Sequence, residues 1–377
     1  MSNAKIIPPG AVLGILGDGQ LGQMIAIAAA YLGYKVAVLG PGGRESPAGH
    51  VAYWAKAWGP KNEVSEELLD EFCKLVSVVM IEWENIPVNL VERIEAKGIA
   101  VRPGSKVLGV AQDRFLEKQL AESLGIPVVK YRNIEHRVPD LDSKRTYADS
   151  ILKTRRDGYD GKGQVRIPNG GSISEAWNAL GNVPCVLEEV VDFACEISII
   201  VAYCPEWEDM YNPDTLTYGP FENIHEKGIL RTTKYPVTNT HIYKKLLDIK
   251  IKASTAAEKL ARHLNARGLL AVEFFVTKEG RLIFNEMAPR PHNSGHLTIE
   301  CSHTSQFEQY VRVACNLPFG SNYFHASGEM QNILGSEVEK WMDYAHKPRA
   351  ALHLYGKGKA KPGRKMGHVT HYWSNDD

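Results

Sequence analysis

The stretch LLAVEFFVTKEGRLIFNEM (269–287) sets the reading of this chain. Two apolar runs flank Glu279-Gly280, a pair suited to a tight turn, so the spacing predicts a β-hairpin of strands 269–277 and 281–287. With Glu279-Gly280 as a two-residue turn, Lys278 faces Arg281. Counting back then sets Glu273 opposite Glu286, beside Phe275 and Phe284. Directly opposed like charges, their Cβ atoms only ~5 Å apart, destabilise a strand pair. A divalent cation between them removes that cost. Mg²⁺ takes oxygen ligands and is held by one or two carboxylates plus nucleotide phosphates. Asn285 adjoins the second glutamate, and Asn293 follows a few residues on. A one-residue slip in register would send the two acids to opposite faces. A glutamate inside LLAVEFFV is costly to bury unpaired, which favours the metal reading.

Immediately downstream, MAPRPHNSGHLT (287–298) is fixed by two prolines and a glycine. Its Arg290, His292, Asn293 and Ser294 suit a small anion or a phosphoryl group in flight. His292 and His296 are four apart, but Pro291 and Gly295 argue against the helix that a zinc pair at this spacing needs. Upstream, Gly158-Tyr159-Asp160-Gly161-Lys162-Gly163-Gln164 lies between two predicted strands, with Lys153 before it and Arg155 and Arg156 beside it. Gln164 stands where a Walker A lysine belongs, and no helix follows. Such a loop can close over phosphates with its backbone N–H groups, Lys153 adding positive charge. An ordinary glycine hairpin with surface charges is the competing reading. Glu188-Glu189-Val190-Val191 ends an apolar strand whose backbone can read an adenine edge. Glu196 can accept hydrogen bonds from ribose hydroxyls, although exposed glutamates at a strand end are also simply solvated.

The N-terminal part alternates strands and helices. AVLGIL (11–16) leads into Gly17-Asp18-Gly19-Gln20-Leu21-Gly22, then an Ala-rich helix stopping at Gly33, a strand at 35–39 and another at 76–81. This pattern predicts a parallel sheet covered on both faces. The loop matches G-x-G-x-x-G and offers helix N-terminal N–H groups to an anion. A dinucleotide site also needs an acid at the end of the second strand. Leu39-Gly40-Pro41-Gly42 supplies none, which disfavours a nicotinamide enzyme; glycine required only for packing is the other reading. At the far end, residues 347–370 carry seven Lys/Arg and no acid. Lys357 and Arg364 flank a Pro362-Gly363 turn suited to a substrate phosphate. An RNA-binding arm would need more aromatic residues. Residues 205–219 (PEWEDMYNPDTLTYG) read as a loop.

With 377 residues, the chain has room for two to three domains of ~150 residues. Lys+Arg and Asp+Glu both number 44, which argues against a general nucleic-acid binder, since that needs a basic surplus. No apolar run approaches the ~20 residues of a membrane span. MSNAKIIPPG lacks the apolar core of a secretory signal. None of the six cysteines forms CxxC. These features predict a reduced, cytoplasmic enzyme of mixed α/β type.

GDGQLGQM (17–24), IEWENIP (81–87), QDRFLEK (112–118), LKTRRDGYDGKGQ (152–164), FNEMAPRPHNSGHLTIE (284–300) and LYGKGKAKPGRKMGH (354–368) run in order along nearly the whole chain. Together they resemble the ATP-grasp superfamily and, within it, the 5-(carboxyamino)imidazole ribonucleotide synthetases of purine biosynthesis. The resemblance implies an α/β and α+β fold. Its parts are a Rossmann-like N-terminal domain (1–112), an ATP-grasp lid (113–191), a large ATP-grasp domain (192–320) and a small C-terminal β segment (321–377). It implies ATP- and bicarbonate-dependent carboxylation of 5-aminoimidazole ribonucleotide (AIR) through carboxyphosphate, by a cytoplasmic homodimer. Another ATP-grasp ligase, such as a formate-dependent purine transformylase, is the alternative.

Carried over residue by residue, Arg114 and Lys153 match the nucleotide-binding cations. Gly158, Tyr159, Asp160, Gly161, Lys162, Gly163 and Gln164 match the phosphate loop. Glu188, Glu189, Val190 and Val191 match the adenine-binding strand. Glu196 matches the ribose ligand, and His225 a further ATP contact. Asn285, Glu286 and Glu273 match the Mg²⁺ site at the end of the sheet. Gln20, Glu82, Tyr159, Asn293, Lys357 and Arg364 fall where the family holds AIR. Asp160 is the candidate for orienting or deprotonating the AIR amine, and Arg290 for stabilising the transferred phosphoryl group. Relatives commonly read GGGQLGRM, so Asp18 and Gln23 depart from the pattern, and Asp18 adds a negative charge near the loop expected to face AIR.

Overall fold

The computed structural model describes residues 5–135, 149–158, 161–207 and 213–374; Tyr159 and Asp160 lie outside them. Among the described residues, three sheets carry the fold. The first holds β1 (Val12–Leu16), β2 (Lys35–Gly40), β3 (Trp54–Ala57), β4 (Val78–Ile81) and β5 (Val101–Arg102), all parallel, in the order β3-β2-β1-β4-β5. Its central strands are buried almost throughout, as continuous apolar runs covered on both faces should be. The order reverses direction on either side of β1. In open α/β sheets, ligands bind beyond the strand ends at such a switch point, and the loops after β1 and β4 do open into a cavity here.

The second sheet is antiparallel: β6 (Tyr131–Ile134), β7 (Ser150–Thr154), β8 (Gln164–Ile167) and β9 (Cys185–Glu189), in the order β6-β9-β7-β8. It buries Leu152, Ile167 and Leu187 against Trp177 of the helix Ile173–Ala179. The third sheet has eight strands: β10 (Phe193–Tyr203), β11 (Thr215–Glu226), β12 (Ile229–Tyr235), β13 (Gly268–Thr277), β14 (Leu282–Ala288), β15 (Ala326–Leu334), β16 (Ala350–Leu354) and β17 (Lys365–Ser374). Its order, β14-β13-β10-β11-β12-β15-β17-β16, makes the C-terminal strands an extension of this sheet. The helix Leu246–Leu264 buries Ile249, Ala253, Leu260 and Leu264 in the core it shares with β10 and β13. From the helix Gln306–Ala314, the fully buried Tyr310 hydroxyl accepts from Ile81 N–H at 2.9 Å and donates to Arg102 C=O at 2.6 Å, tying the first sheet to the third.

The decisive hairpin forms, with its turn corrected. Thr277 N–H donates to Arg281 C=O at 3.0 Å, so the loop is Lys278-Glu279-Gly280, three residues and not two. Gly280, at φ +79°, supplies the left-handed position such a loop requires. The register therefore starts one residue off, and Phe274 opposes Phe284 where Phe275 was expected to. A bulge at Asn285 then takes up one residue and restores Glu273 opposite Glu286. Two errors of opposite sign cancel at the pair that matters.

The stretch 205–219 is not all loop. Pro205–Trp207 forms a short 3₁₀ turn, but β11 begins at Thr215, where it pairs with Tyr203. Thr215-Leu216-Thr217-Tyr218 are good strand formers, which the turn-rich residues before them obscured. A helix at Ser105–Ala111 precedes a second at Arg114–Ser123. Asp113 separates the two by capping Phe115 N–H at 3.0 Å.

Candidate active site

A cavity of about 680 Å³ lies among the first sheet, the β13–β14 hairpin and the C-terminal loop between β16 and β17. Glu273 and Glu286 both open into it. In this structure their charges are met by protein cations: Glu286 Oε2 lies 2.5 Å from Arg114 Nη1, and Glu273 Oε1 lies 3.0 Å from His292 Nε2. Burial alone would raise the Glu286 carboxyl, but the Arg114 guanidinium overrides it and lowers it to about 2. The neighbouring Asn285 Oδ1 is buried with no partner among the described residues. Two facing carboxylates are a fitting donor pair for a hard divalent cation. Glu273 also has ligand atoms within 4.8 Å of Glu196 and His225, and His225 Nδ1 lies 2.7 Å from Glu196 Oε2.

Glu188 is not a solvated residue at a strand end. Its side chain is 3% exposed, with Oε2 at 2.8 Å from Lys153 Nζ and Oε1 at 3.2 Å from Lys118 Nζ. Burial pushes this carboxyl up, but the two ammonium groups win and bring it down to about 2. Lys153, expected to be directed at phosphates, is here bonded to Glu188. Lys118 is buried too and donates to Asn285 C=O at 3.2 Å, linking its helix, the second sheet and the β13–β14 hairpin. Glu117 beside it accepts Met287 N–H at 3.0 Å, and burial raises its carboxyl to about 8.

In the second glycine loop, Arg114 Nη2 donates to Gly158 C=O at 3.1 Å, and Thr154 N–H donates to Gly163 C=O at 2.8 Å. Gly158 and Lys162 line the cavity with Arg114, His225 and Glu286. Lys153, Gly161, Gly163, Gln164, Glu188, Glu189, Val190, Val191, Glu196 and Asn285 stand outside its wall, on the strands and turns that frame it.

At the first glycine loop, the two readings of the sequence are an open anion site and glycine needed for packing, and the structure shows neither the Gly19 nor the Gly22 N–H group open. Instead Glu82 Oε1 accepts Gly19 N–H at 2.9 Å and Oε2 accepts Gly22 N–H at 3.2 Å. The protein's own carboxylate, on the strand end across the switch point, fills the anion position. Asp18 turns the other way, and its Oδ2 accepts Gly42 N–H at 2.5 Å and Gly43 N–H at 3.1 Å at the end of β2. Burial raises both carboxyls and these N–H groups oppose it. Gln20 and Glu82 still line the cavity, as do Asn293, Lys357 and Arg364. Asn293 is buried, and neither of its amide atoms has a partner among the described residues. Arg290 pairs with Glu84 and donates to Pro291 C=O at 2.9 Å.

Sequence reasoning missed Lys118, Glu84 and the pairing of His292 with Glu273. Lys118 had a signal: it lies four residues after Arg114 on one helix, hence on the same face. Glu84 and His292 had none, because their partners come from distant elements. All six cysteines are buried and free. Among the described residues, no helix is long and apolar enough to cross a membrane.

Three family models match in sequence order: a ribonucleotide synthetase preATP-grasp domain over residues 11–112, an ATP-grasp domain over 119–307, and a phosphoribosylaminoimidazole carboxylase C-terminal domain over 329–377. The N5-carboxyaminoimidazole ribonucleotide synthase of Bacillus subtilis is 39% identical, the match covering 97% of this chain and 92% of that one. A bifunctional purine synthesis protein of Dictyostelium discoideum is 40% identical over 98% of this chain, which spans 38% of that longer protein. Among solved structures, the Staphylococcus aureus N5-carboxyaminoimidazole synthetase complexed with ADP superposes with a TM-score of 0.87 at 30% identity, covering 100% of this chain and 96% of that one. The Aspergillus clavatus synthase in complex with ADP and 5-aminoimidazole ribonucleotide gives 0.84 at 27% identity, covering 97% and 94%. The chain belongs to the N5-carboxyaminoimidazole ribonucleotide synthase family of ATP-grasp ligases.

Proposed function

We propose that this ligase joins bicarbonate to the exocyclic amine of AIR with cleavage of ATP to ADP and phosphate. The observation that carries the reading is the facing pair Glu273 and Glu286, opening into the same cavity as Lys357 and Arg364. Glu273 and Glu286, with Asn285, would hold Mg²⁺, which when bound offsets the negative charge of the nucleotide phosphates. On this reading the triphosphate would lie toward the acidic pair and the AIR phosphate toward the basic C-terminal loop. Val190 and Val191 follow β9 where the adenine would lie, and Glu196 with His225 sits on the ribose side.

A bicarbonate oxygen attacks the γ-phosphorus, the bond to the β-phosphate oxygen breaks, and ADP leaves. The amine of AIR then bonds to the carboxyl carbon of carboxyphosphate, phosphate departs, and the amine gives up a proton. Arg290 bears on the spreading phosphoryl charge, and Glu84 holds its guanidinium in place. Carboxyphosphate reacts with water, so the loop 158–164 must close over it. Asp160 is our candidate for the amine proton. Gln20, Glu82 and Asn293 would contact the AIR ribose and ring, with Tyr159 closing over them. The spans of the first two sheets, residues 12–102 and 131–189, support the limits near 112 and 191, whereas the third sheet runs across residue 320, from 193 to 374. Buried free thiols support a reducing, cytoplasmic setting. A homodimer is proposed from the family resemblance and is tested by sedimentation.

Phosphate release from ATP and Mg²⁺ should require AIR and bicarbonate together. Release with formate in place of bicarbonate would instead identify a transformylase.

A further inference from the structure

Three imidazoles lie ring against ring, two of them stacked and the third tilted, where the mechanism makes no use of them. His368 on β17 lies 4.4 Å from His353 on β16, ring centroid to centroid and nearly parallel, and 4.7 Å from His296. His296 belongs to the stretch 287–298 that also carries Arg290 and Asn293. His296 and His368 are fully buried, and burial holds both imidazoles well below their ordinary range, so both are neutral. His368 Nδ1 lies 2.7 Å from the hydroxyl of Tyr355, itself 1% exposed. The Tyr355 hydroxyl donates a hydrogen bond to Nδ1 of the neutral His368. His353 Nε2 lies 2.6 Å from Glu300 Oε1, anchoring the outer ring of the stack.

Tyr355 and His368 stand at the two feet of the loop 356–364. Across those feet Tyr355 N–H donates to Met366 C=O at 3.0 Å. Over the other end of the tyrosine ring sits Lys357, its Nζ 5.5 Å from the centroid. A continuous set of contacts therefore runs from the stretch 287–298 through His296, His368 and Tyr355 to the lysine at the basic end of the cavity. Core packing holds the Tyr355 ring, its hydroxyl bond to His368 fixes the far end, and the cation rests on its face.

We propose that His368 is a positioning residue: clamped between His296 and His353, it fixes Tyr355 and through it sets Lys357 over the substrate pocket. The consequence for AIR rests on the function proposed above; the ordering of the loop does not. Two variants keep the core filled. Tyr355→Phe removes only the hydroxyl, and His368→Phe keeps a stacking ring without the acceptor.

Each should raise the half-saturating AIR concentration three- to tenfold, the worth of one hydrogen bond. Half-saturating ATP and kcat at saturating AIR should stay within about twofold. The double variant should be no worse than either single one, since both remove one contact. His368→Gln, which returns an acceptor to Tyr355, should recover most of the loss. In ligand-free protein, amide exchange at Tyr355 and Arg364 should quicken in both variants with the rest of the chain unchanged. Unchanged exchange there overturns the proposal, as do equal rises for AIR and ATP, or additive losses in the double variant. Quickened exchange in a protein that does not use AIR would retain the positioning role and reject the assigned substrate.

Discussion

Gly17–Gly22 and Gly158–Gly163 are both glycine loops that follow a strand, and they meet opposite charges. The first faces Glu82, whose carboxylate takes the N–H groups of Gly19 and Gly22. The second faces Arg114, which binds the Gly158 carbonyl, and has Lys153 on the strand before it. One loop is thus satisfied internally and serves as a wall. The other is bordered by cations whose partners, Glu286 and Glu188, are themselves protein acids. Glycine content decides only that a backbone can approach an anion. The residue on the facing element decides whose anion it is.

The largest expected effect lies on the cationic side. Glu286→Ala removes one of the two facing carboxylates and strands Arg114, and kcat for ADP formation should fall roughly a thousandfold, equivalent to about 4 kcal/mol. Circular dichroism would verify that the fold persists. Full turnover in that variant would break the contrast, because the second loop would then need no carboxylate partner.

Glu188 sharpens the contrast through pH. Its carboxyl falls from an ordinary 4.5 to about 2 because Lys118 and Lys153 outweigh burial. A lowered acid contributes stability that is full above the unfolded pKa and is lost as pH drops through the folded one. Stability should therefore decline between pH 4.5 and 2, by about 3 kcal/mol from this group. Glu188→Gln should lose a similar amount at pH 7, leaving Lys118 buried without its acid. Urea midpoints at pH 5 and pH 3 would separate the two proteins, the variant being the flatter.

Glu82→Ala tests the other loop. It leaves the Gly19 and Gly22 N–H groups unsatisfied, a cost of about 2 kcal/mol. It also vacates an anion position at a helix N-terminus. Sulfate should then raise the melting temperature of the variant by more than that of the parent. Equal sulfate effects on both would mean that Glu82 is not what closes this loop.

Legibility followed sequence distance. The parallel first sheet was readable because its strands are short apolar runs punctuated by glycine. The facing acids were readable because a hairpin is local, even though the turn was one residue longer than expected and a bulge absorbed the difference. Glu82 closing a loop sixty-odd residues upstream was not readable, and neither were Lys118 gripping Glu188, nor His292 meeting Glu273. Each of these depends on which strands become neighbours, and no local pattern encodes that. Residues 205–219 failed for another reason: proline and aspartate at the start of the stretch hid a strand at its end.

The smallest effect separates the loops by backbone alone. Gly163 sits at φ +70°, and a Cβ there would also lie 2.6 Å from Thr154 Oγ1. Gly163→Ala should cost about 1 kcal/mol for the left-handed conformation, with the threonine rotamer giving way. Because Gly163 C=O accepts from Thr154 N–H at the foot of the loop, half-saturating ATP should rise several-fold as well. Gly22, in contrast, lies within a helix, where alanine is the better residue by ~1 kcal/mol. Its new Cβ would press on Ala48 Cβ at 3.1 Å and Glu82 Cγ at 3.3 Å, which offsets that gain. Gly22→Ala should therefore be near neutral in stability and leave ATP saturation unchanged. If the two substitutions moved ATP saturation equally, the first loop would have to be sharing the nucleotide, and Glu82 would have to leave its place for that to happen.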